Sequence, residues 1–201
     1  PFLEGEGLGN YFSDPAFREA LDEPPEENPT QAILYFASMF SNPGLTWGDL
    51  EWLRDLTDLP IVLKGILSPA DAERAADAGV EGVIVSNHGG RQVDGAVAAL
   101  DALPRVADTV GDRLEIFFDS GIRRGSDILK ALALGARAVL VGRPYCHGLA
   151  LGGAEGAAAV MLNLLSDLDL TLGLCGCTGM DEMSRDRLLR AESDGSIAPD
   201  P

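Results

Sequence analysis

The 201-residue sequence is poor in positive charge: 15 Lys plus Arg stand against 32 Asp plus Glu, a formal net charge of −17. Lysine is nearly absent, with Lys64 and Lys130 the only two. A surface this acidic repels phosphate backbones and anionic lipids, which argues against nucleic acid or a membrane surface as partner. Two origins suit it: an Arg-biased chain with solvated acidic faces, or a salt-rich cytoplasm in which dense carboxylates keep a protein soluble under screening. Cysteine is scarce, three residues in all. Cys175 and Cys177 form a C-x-C, neither a redox C-x-x-C nor half a zinc site, so no metal is expected and the thiols read as reduced and cytosolic. No unbroken apolar run approaches the roughly 18 residues of a membrane-spanning helix, so none is expected. The first residue is Pro1 and no basic-then-apolar leader follows, so the expectation is a cytoplasmic chain without an export signal.

What is present is enough for a core, with 46% hydrophobic and 23% charged residues. That composition excludes global disorder and fibrous, repeat-built chains. Residues 1–45 differ from the rest. Asp14 before Pro15 suggests a capped short helix through Phe17–Leu21. The stretch 22–29 is too acidic and proline-rich to pack and reads as a mobile, exposed loop, and a helix over Thr30–Phe40 follows. From Leu45 the pattern becomes rhythmic. Thr46 caps an amphipathic helix through Leu56. Apolar strands at 61–63, 83–85, 114–118 and 138–141 alternate with helices at 69–78, within 97–110, at 126–134 and over much of 155–165. Strands buried on both faces and alternating with helices mean parallel βα units. Each strand runs into polar or glycine-rich residues, whereas the opposite ends are plain turns. Chemistry collected at the carboxyl ends of successive parallel strands points to an α/β fold of the (β/α)8 TIM-barrel type.

Three groups of residues carry chemistry. Gly121 with Arg123, and Gly142 with Arg143, follow two adjacent strands. Glycine lets backbone amides approach an anion, a helix amino terminus adds its dipole, and arginine adds a fork of donors, which together suit phosphate. In Ser86-Asn87-His88-Gly89-Gly90-Arg91-Gln92, His88 supplies a base near neutral pH. Arg91 supplies a planar cation matched to a carboxylate, a pair suited to proton abstraction from an anionic substrate. Lys64 stands at a strand end as a fixed charge for an electron-rich cofactor or developing anion, and Asp119 would suit cofactor hydroxyls. His147 reads as structural.

These residues resemble the signature of the FMN-dependent α-hydroxy acid oxidases and dehydrogenases. Leu63-Lys64-Gly65-Ile66, Ser86–Gln92, Asp119-Ser120-Gly121-Ile122-Arg123, Lys130–Ala136 and Val141-Gly142-Arg143-Pro144 match it in order and spacing. Asn10–Pro15 and Asn42–Trp47 are most similar to its lactate 2-monooxygenase branch. The resemblance, which runs from Pro1 to about Leu189, implies FMN as cofactor and a 2-hydroxy acid, lactate foremost, as substrate. Oxygen or another acceptor would take the electrons, in a protein that is a homo-oligomer at full length. It implies His88 as base, Arg91 with His88 on the substrate, and Lys64 and Ser86 against the flavin. Asp119, Ser120, Gly121, Ile122 and Arg123 would bind the ribityl chain and phosphate, with Gly142 and Arg143 completing the cradle. It also implies that only strands 5 to 8 of the barrel are present. Residues 1–45 would then be the connection after strand 4, residues 46–190 the carboxyl-terminal half-barrel and residues 191–201 an acidic tail. Two other readings stand beside it. One is a phosphate-binding barrel of the inosine-monophosphate-dehydrogenase or flavin-isomerase kind, which leaves His88 with Arg91 unexplained. The other is a half-barrel without catalysis.

Overall fold

The computed structural model describes residues 8–40, 42–191 and 196–199. The chain divides into two compact units, Pro1–Leu50 and Glu51–Pro201. In the first, α1 (Gly9–Phe12), α2 (Pro15–Glu19) and α3 (Pro29–Met39) enclose a small core of Leu8, Phe17, Ala32, Ile33 and Phe36. The Asp14 carboxylate accepts the Phe17 N–H at 2.8 Å, and the Asn28 side chain accepts the Gln31 N–H at 3.1 Å. Each caps a helix whose first residue is proline, where a missing N–H costs nothing. Tyr11 sets its ring edge-on against Phe36, with centroids 4.7 Å apart. The acidic stretch 22–29 is a mostly exposed loop, as expected, and it is tied to its neighbours. Arg18 forks onto Glu26 at 2.6 and 3.1 Å, Gln31 donates to Asp22, and Pro25 is fully buried. One guanidinium, placed by the α2 turn, offsets the local repulsion that the composition suggests.

In the second unit, four parallel strands pair in chain order: β1 (Val62–Ile66), β2 (Gly82–Val85), β3 (Glu115–Phe118) and β4 (Ala138–Val139). The connections are α5 (Pro69–Asp77), α6 (Ala99–Val110) and α7 (Gly125–Ala133). The helix before β1, α4 (Asp49–Leu56), begins later than Thr46, and the cap runs in reverse, because the Thr46 amide and hydroxyl donate to Asp49. From α4, Arg54 donates to both oxygens of Glu81, and Glu81 accepts the Ile61 N–H, which fixes the entry to β1.

The two faces of the sheet are unequal. Val83, Val85, Ile116 and Phe118 are at most 3% exposed, whereas Ile84 and Phe117, on the opposite face by strand alternation, are half-buried. Strands buried on both faces were expected, and only one face is fully covered. β1 is an edge with Val62 exposed, and it runs through Lys64, so that lysine lies within the strand rather than beyond it. A bulge at Gly65, φ +100°, shifts the register so that Lys64 pairs with Ile84 and Ile66 with Val85.

Helix α8 (Arg143–Leu174) is far longer than the stretch expected at 155–165, and it bends at Gly152 and Gly153, whose dihedrals leave the helical region. Glycine permits the contact between the two limbs, since a Cβ on Gly148 or Gly156 would strike the other's backbone. Contrary to expectation, α8 is long and apolar enough to cross a membrane by length and composition, with mean hydropathy 1.4 in a window only 6% buried. Its apolar residues are interrupted by glycines and by Glu155, Asn163, Asp167 and Asp169, which is why no unbroken run announces it. Strand β5 (Leu189–Ala191) pairs antiparallel with β6 (Ile197–Pro199), the latter within the stretch read as an acidic tail. Cys146, Cys175 and Cys177 are all free thiols.

The second limb of α8 closes on α7 at Gly125, where an added Cβ would collide with the backbone of Asp167 and Leu168. Gly125→Ala is therefore expected to lower stability by about 3 kcal/mol, at the upper end of overpacking costs. Gly173→Ala, in open space on the same limb, should raise it by about 0.5–1 kcal/mol. Urea denaturation of the two variants measures both effects.

Candidate active site

Alternation along the strands decides which side chains reach the site. Ile84 and Ser86 share one face of β2 and its extension, as Phe117 and Asp119 do for β3, and Lys64 pairs with Ile84. Lys64, Ser86 and Asp119 therefore leave the face opposite the tightly packed one, at the carboxyl ends of adjacent strands. Their polar atoms meet. The Lys64 ammonium lies 2.9 Å from Asp119 Oδ2 and donates to Ser86 Oγ at 3.1 Å. Ser86 is 1% exposed and is the buried polar side chain at the base of the site. Burial alone would raise the Asp119 carboxyl. Hydrogen bonds from Ser86, Lys64 and Ser120, with the Lys64 charge, outweigh it and hold the group below the ordinary aspartate value.

Beyond β2 the chain forms a tight turn, His88–Gly90, in which His88 has φ +58° and Gly89 and Gly90 have φ +65° and +72°. The Asn87 side chain accepts the Gly90 N–H at 3.2 Å and donates to Val97 O at 3.3 Å, closing the turn on itself. Arg143, from the start of α8, reaches across the site and donates to Gly89 O at 3.0 Å. An added Cβ at Gly89 would strike that guanidinium, so glycine here serves both the backbone and a close approach.

One cavity of ≈ 290 Å³ joins these parts. From β1 and the turn beyond β2 it is lined by Lys64, His88 and Arg91, from the segment beyond β3 by residues 119–123, and from the start of α8 by Gly142 and Arg143. Nearly every residue singled out in the sequence thus lies on a single surface, with Ser86 beneath it. Four cations, Lys64, Arg91, Arg123 and Arg143, face one carboxylate, Asp119. In a chain of net charge −17 this is a local reversal of sign, and it suits an anionic ligand.

Two features differ from expectation. The amino terminus of α7 is not an open anion site: Asp127 accepts the N–H groups of Arg123 and Arg124 at 3.0 and 2.9 Å, and Asp167 accepts that of Gly125 at 2.6 Å. One carboxylate of α7 and one of α8 hold those donors, which leaves the guanidinium groups and the backbone at 121–122 and 142 to meet an anion. Tyr145 also lines the cavity, beside Leu140, Val141 and Pro144. Its phenol is raised by a hydrogen bond and charge from neighbouring Cys146. Its place three residues into the last strand-to-helix junction was the signal for it. His147, two residues further on, does not line the cavity.

Comparison with known proteins places this arrangement. Residues 5–190 match the family of FMN-dependent dehydrogenases. An FMN-dependent alpha-hydroxy acid dehydrogenase of Schizosaccharomyces pombe is 48% identical over 96% of this chain and 49% of its own length. An L-lactate oxidase of Nostoc is 52% identical over 74% of this chain and 40% of its own. The crystal structure of mandelate oxidase superposes with a TM-score of 0.67 at 48% identity, over 70% of this chain and 41% of that one. The chain thus spans half or less of the length of each of these relatives, within which His88, Arg91 and Lys64 share one cavity with the glycine–arginine pairs. This chain belongs to the FMN-dependent dehydrogenase family.

Proposed function

We propose that this chain is the carboxyl-terminal half, strands 5 to 8, of a (β/α)8 barrel that oxidises a short L-2-hydroxy acid, lactate foremost, with FMN. On this reading the first unit is the connection that follows strand 4, and the remaining half-barrel covers the open face of the sheet and the apolar limbs of α8. The observation that carries the reading is the convergence of a base, a carboxylate-binding cation and a phosphate-binding set on one cavity. The resemblance of Asn10–Pro15 and Asn42–Trp47 to the lactate 2-monooxygenase branch, together with the likeness to an L-lactate oxidase, favours lactate as substrate and oxygen as electron acceptor.

The donor set fits FMN. Arg123 and Arg143, with the backbone at Gly121 and Gly142, would hold its phosphate, and Lys64 would lie against the electron-rich edge of its ring. When bound, FMN supplies the two-electron acceptor that no amino acid provides. The chain's own residues do the rest. Arg91 grips the substrate carboxylate through its planar fork and fixes the α-carbon beside His88. His88 accepts the proton lost as the alcohol becomes a carbonyl. Asp119 stays ionised and holds Lys64 in place.

Four outcomes test this reading. In a protein of full family length carrying these residues, His88→Ala should lower turnover of L-lactate by about 10²–10⁴-fold while flavin binding is kept. Turnover that returns on adding excess FMN would contradict that role. Arg91→Lys should raise KM for lactate by about tenfold or more, through loss of the bidentate geometry, as steady-state kinetics will show. The chain alone, loaded with FMN, should show no bleaching by lactate. The fourth outcome is read from stability. Because the Asp119 pKa is depressed in the fold, its contribution is fully present above the unfolded value of about 3.9. It is lost as the pH falls through the lower folded value. Asp119→Asn should therefore lose stability at neutral pH and show a shallower decline below about pH 4, as thermal melts across pH will report.

A further inference from the structure

Among the described residues, two that are not glycine adopt positive φ: His88 at +58° and Ser120 at +80°. An L-residue held there carries strain of about 1–3 kcal/mol that glycine would not, and Gly121 follows at +112° with no such strain. Serine at 120 therefore calls for a reason in its side chain. A hydroxyl has one proton to give and two lone pairs to receive, and all three are used. Ser120 Oγ donates to Asp119 Oδ1 at 2.8 Å and accepts the N–H groups of Asn87 at 3.2 Å and Gly89 at 3.0 Å. Between those two amides, the His88 N–H donates to Ser86 Oγ at 3.0 Å, and the same oxygen accepts from the Lys64 ammonium, which pairs with Asp119. Three consecutive backbone amides thus end on two hydroxyls, one bonded to the Asp119 carboxylate directly and the other joined to it through Lys64.

We propose that Ser120 is a positioning residue: its hydroxyl fastens the His88 turn to Asp119 and so fixes where the His88 ring is presented. The functional part of this inference rests on His88 being the base. Ser120 is expected to touch the cofactor and does line the cavity, but with its hydroxyl's donor and both acceptor sites engaged such contact falls to its backbone. Its strain stays because glycine, although relaxed at that φ, would leave the Asn87 and Gly89 amides without their acceptor.

The test compares Ser120→Ala, which keeps the strain and removes the hydroxyl, with Ser120→Gly, which removes both. Amide hydrogen exchange on the isotopically labelled chain is read at Asn87 and Gly89. The Asp119 amide, bonded to Val85 O at 3.2 Å in the sheet, is the internal reference. Both variants should exchange Asn87 and Gly89 at least tenfold faster with Asp119 unchanged. The ring resonance of His88 should move or broaden while that of His147, the only other histidine, stays. Ser120→Gly should melt no lower than the parent. If Ser120→Gly keeps parental exchange and the parental His88 resonance, serine merely fills the turn and the proposal is overturned. Acceleration shared equally by the Asp119 amide overturns it too, since that is general loosening. If the amides behave as stated but His88→Ala retains turnover, the fastening stands and the assignment of His88 as base falls.

Discussion

The Asp119 carboxylate, only partly open to solvent, is the point on which the site depends. It binds the Lys64 ammonium from β1, which in turn donates to Ser86 at the end of β2, and it accepts from Ser120 on its own segment. A charged group taken out of water is tolerated only when paired and hydrogen-bonded, and here satisfying it requires three strand ends to stand in one register. The constraint works in both directions. The sheet brings the partners together, and the need to satisfy the carboxylate fixes the polar ends of strands whose apolar stretches alone would set only their spacing. The His88 turn, which has no regular structure to hold it beyond three residues, inherits its position from this cluster.

The end of the sheet remote from the cavity is held by different means. Arg54, Glu81 and the Ile61 amide form one exposed link there, and Arg113 with Asp77 forms another. Such solvent-facing pairs contribute little individually, and neither touches the cavity. Stability at that end and chemistry at the other are carried by separate residues, and Gly125 against α8 supplies the packing between the last crossover helix and its neighbour.

The repeating βα units and the residues of the cavity were legible because both follow local rules. Apolar runs of three residues mark β2 (Val83–Val85) and β3 (Ile116–Phe118), and His88, Arg91 and Arg123 stand in short loops where polar residues have little structural reason to collect. What escaped depends on distance along the chain. Asp167 capping Gly125 joins residues 42 apart, so the filled amino terminus of α7 could not be inferred from the glycine and arginines around it. The length of α8 was hidden by glycines at 148, 152, 153 and 156. These read as breaks, yet two of them allow the limbs to touch. Pro25 lies in a loop, as its composition suggests, but its burial does not follow from the exposed acidic residues around it. Lys64 read as lying beyond β1 because a charge seldom sits in an apolar strand, whereas the open face of this sheet admits one.

The local reversal of charge in the cavity bears on how a ligand arrives. At long range an anion meets a chain of net charge −17, and it senses Lys64, Arg91, Arg123 and Arg143 only within about a Debye length, ~10 Å at 0.1 M salt. The far field opposes encounter and the near field rewards it. Added salt shortens the repulsive reach of the distant carboxylates more than it weakens contacts made inside the cavity. Association of an anion with this chain is therefore governed by a barrier that salt lowers, and its on-rate rises with ionic strength where an ordinary cationic site would slow.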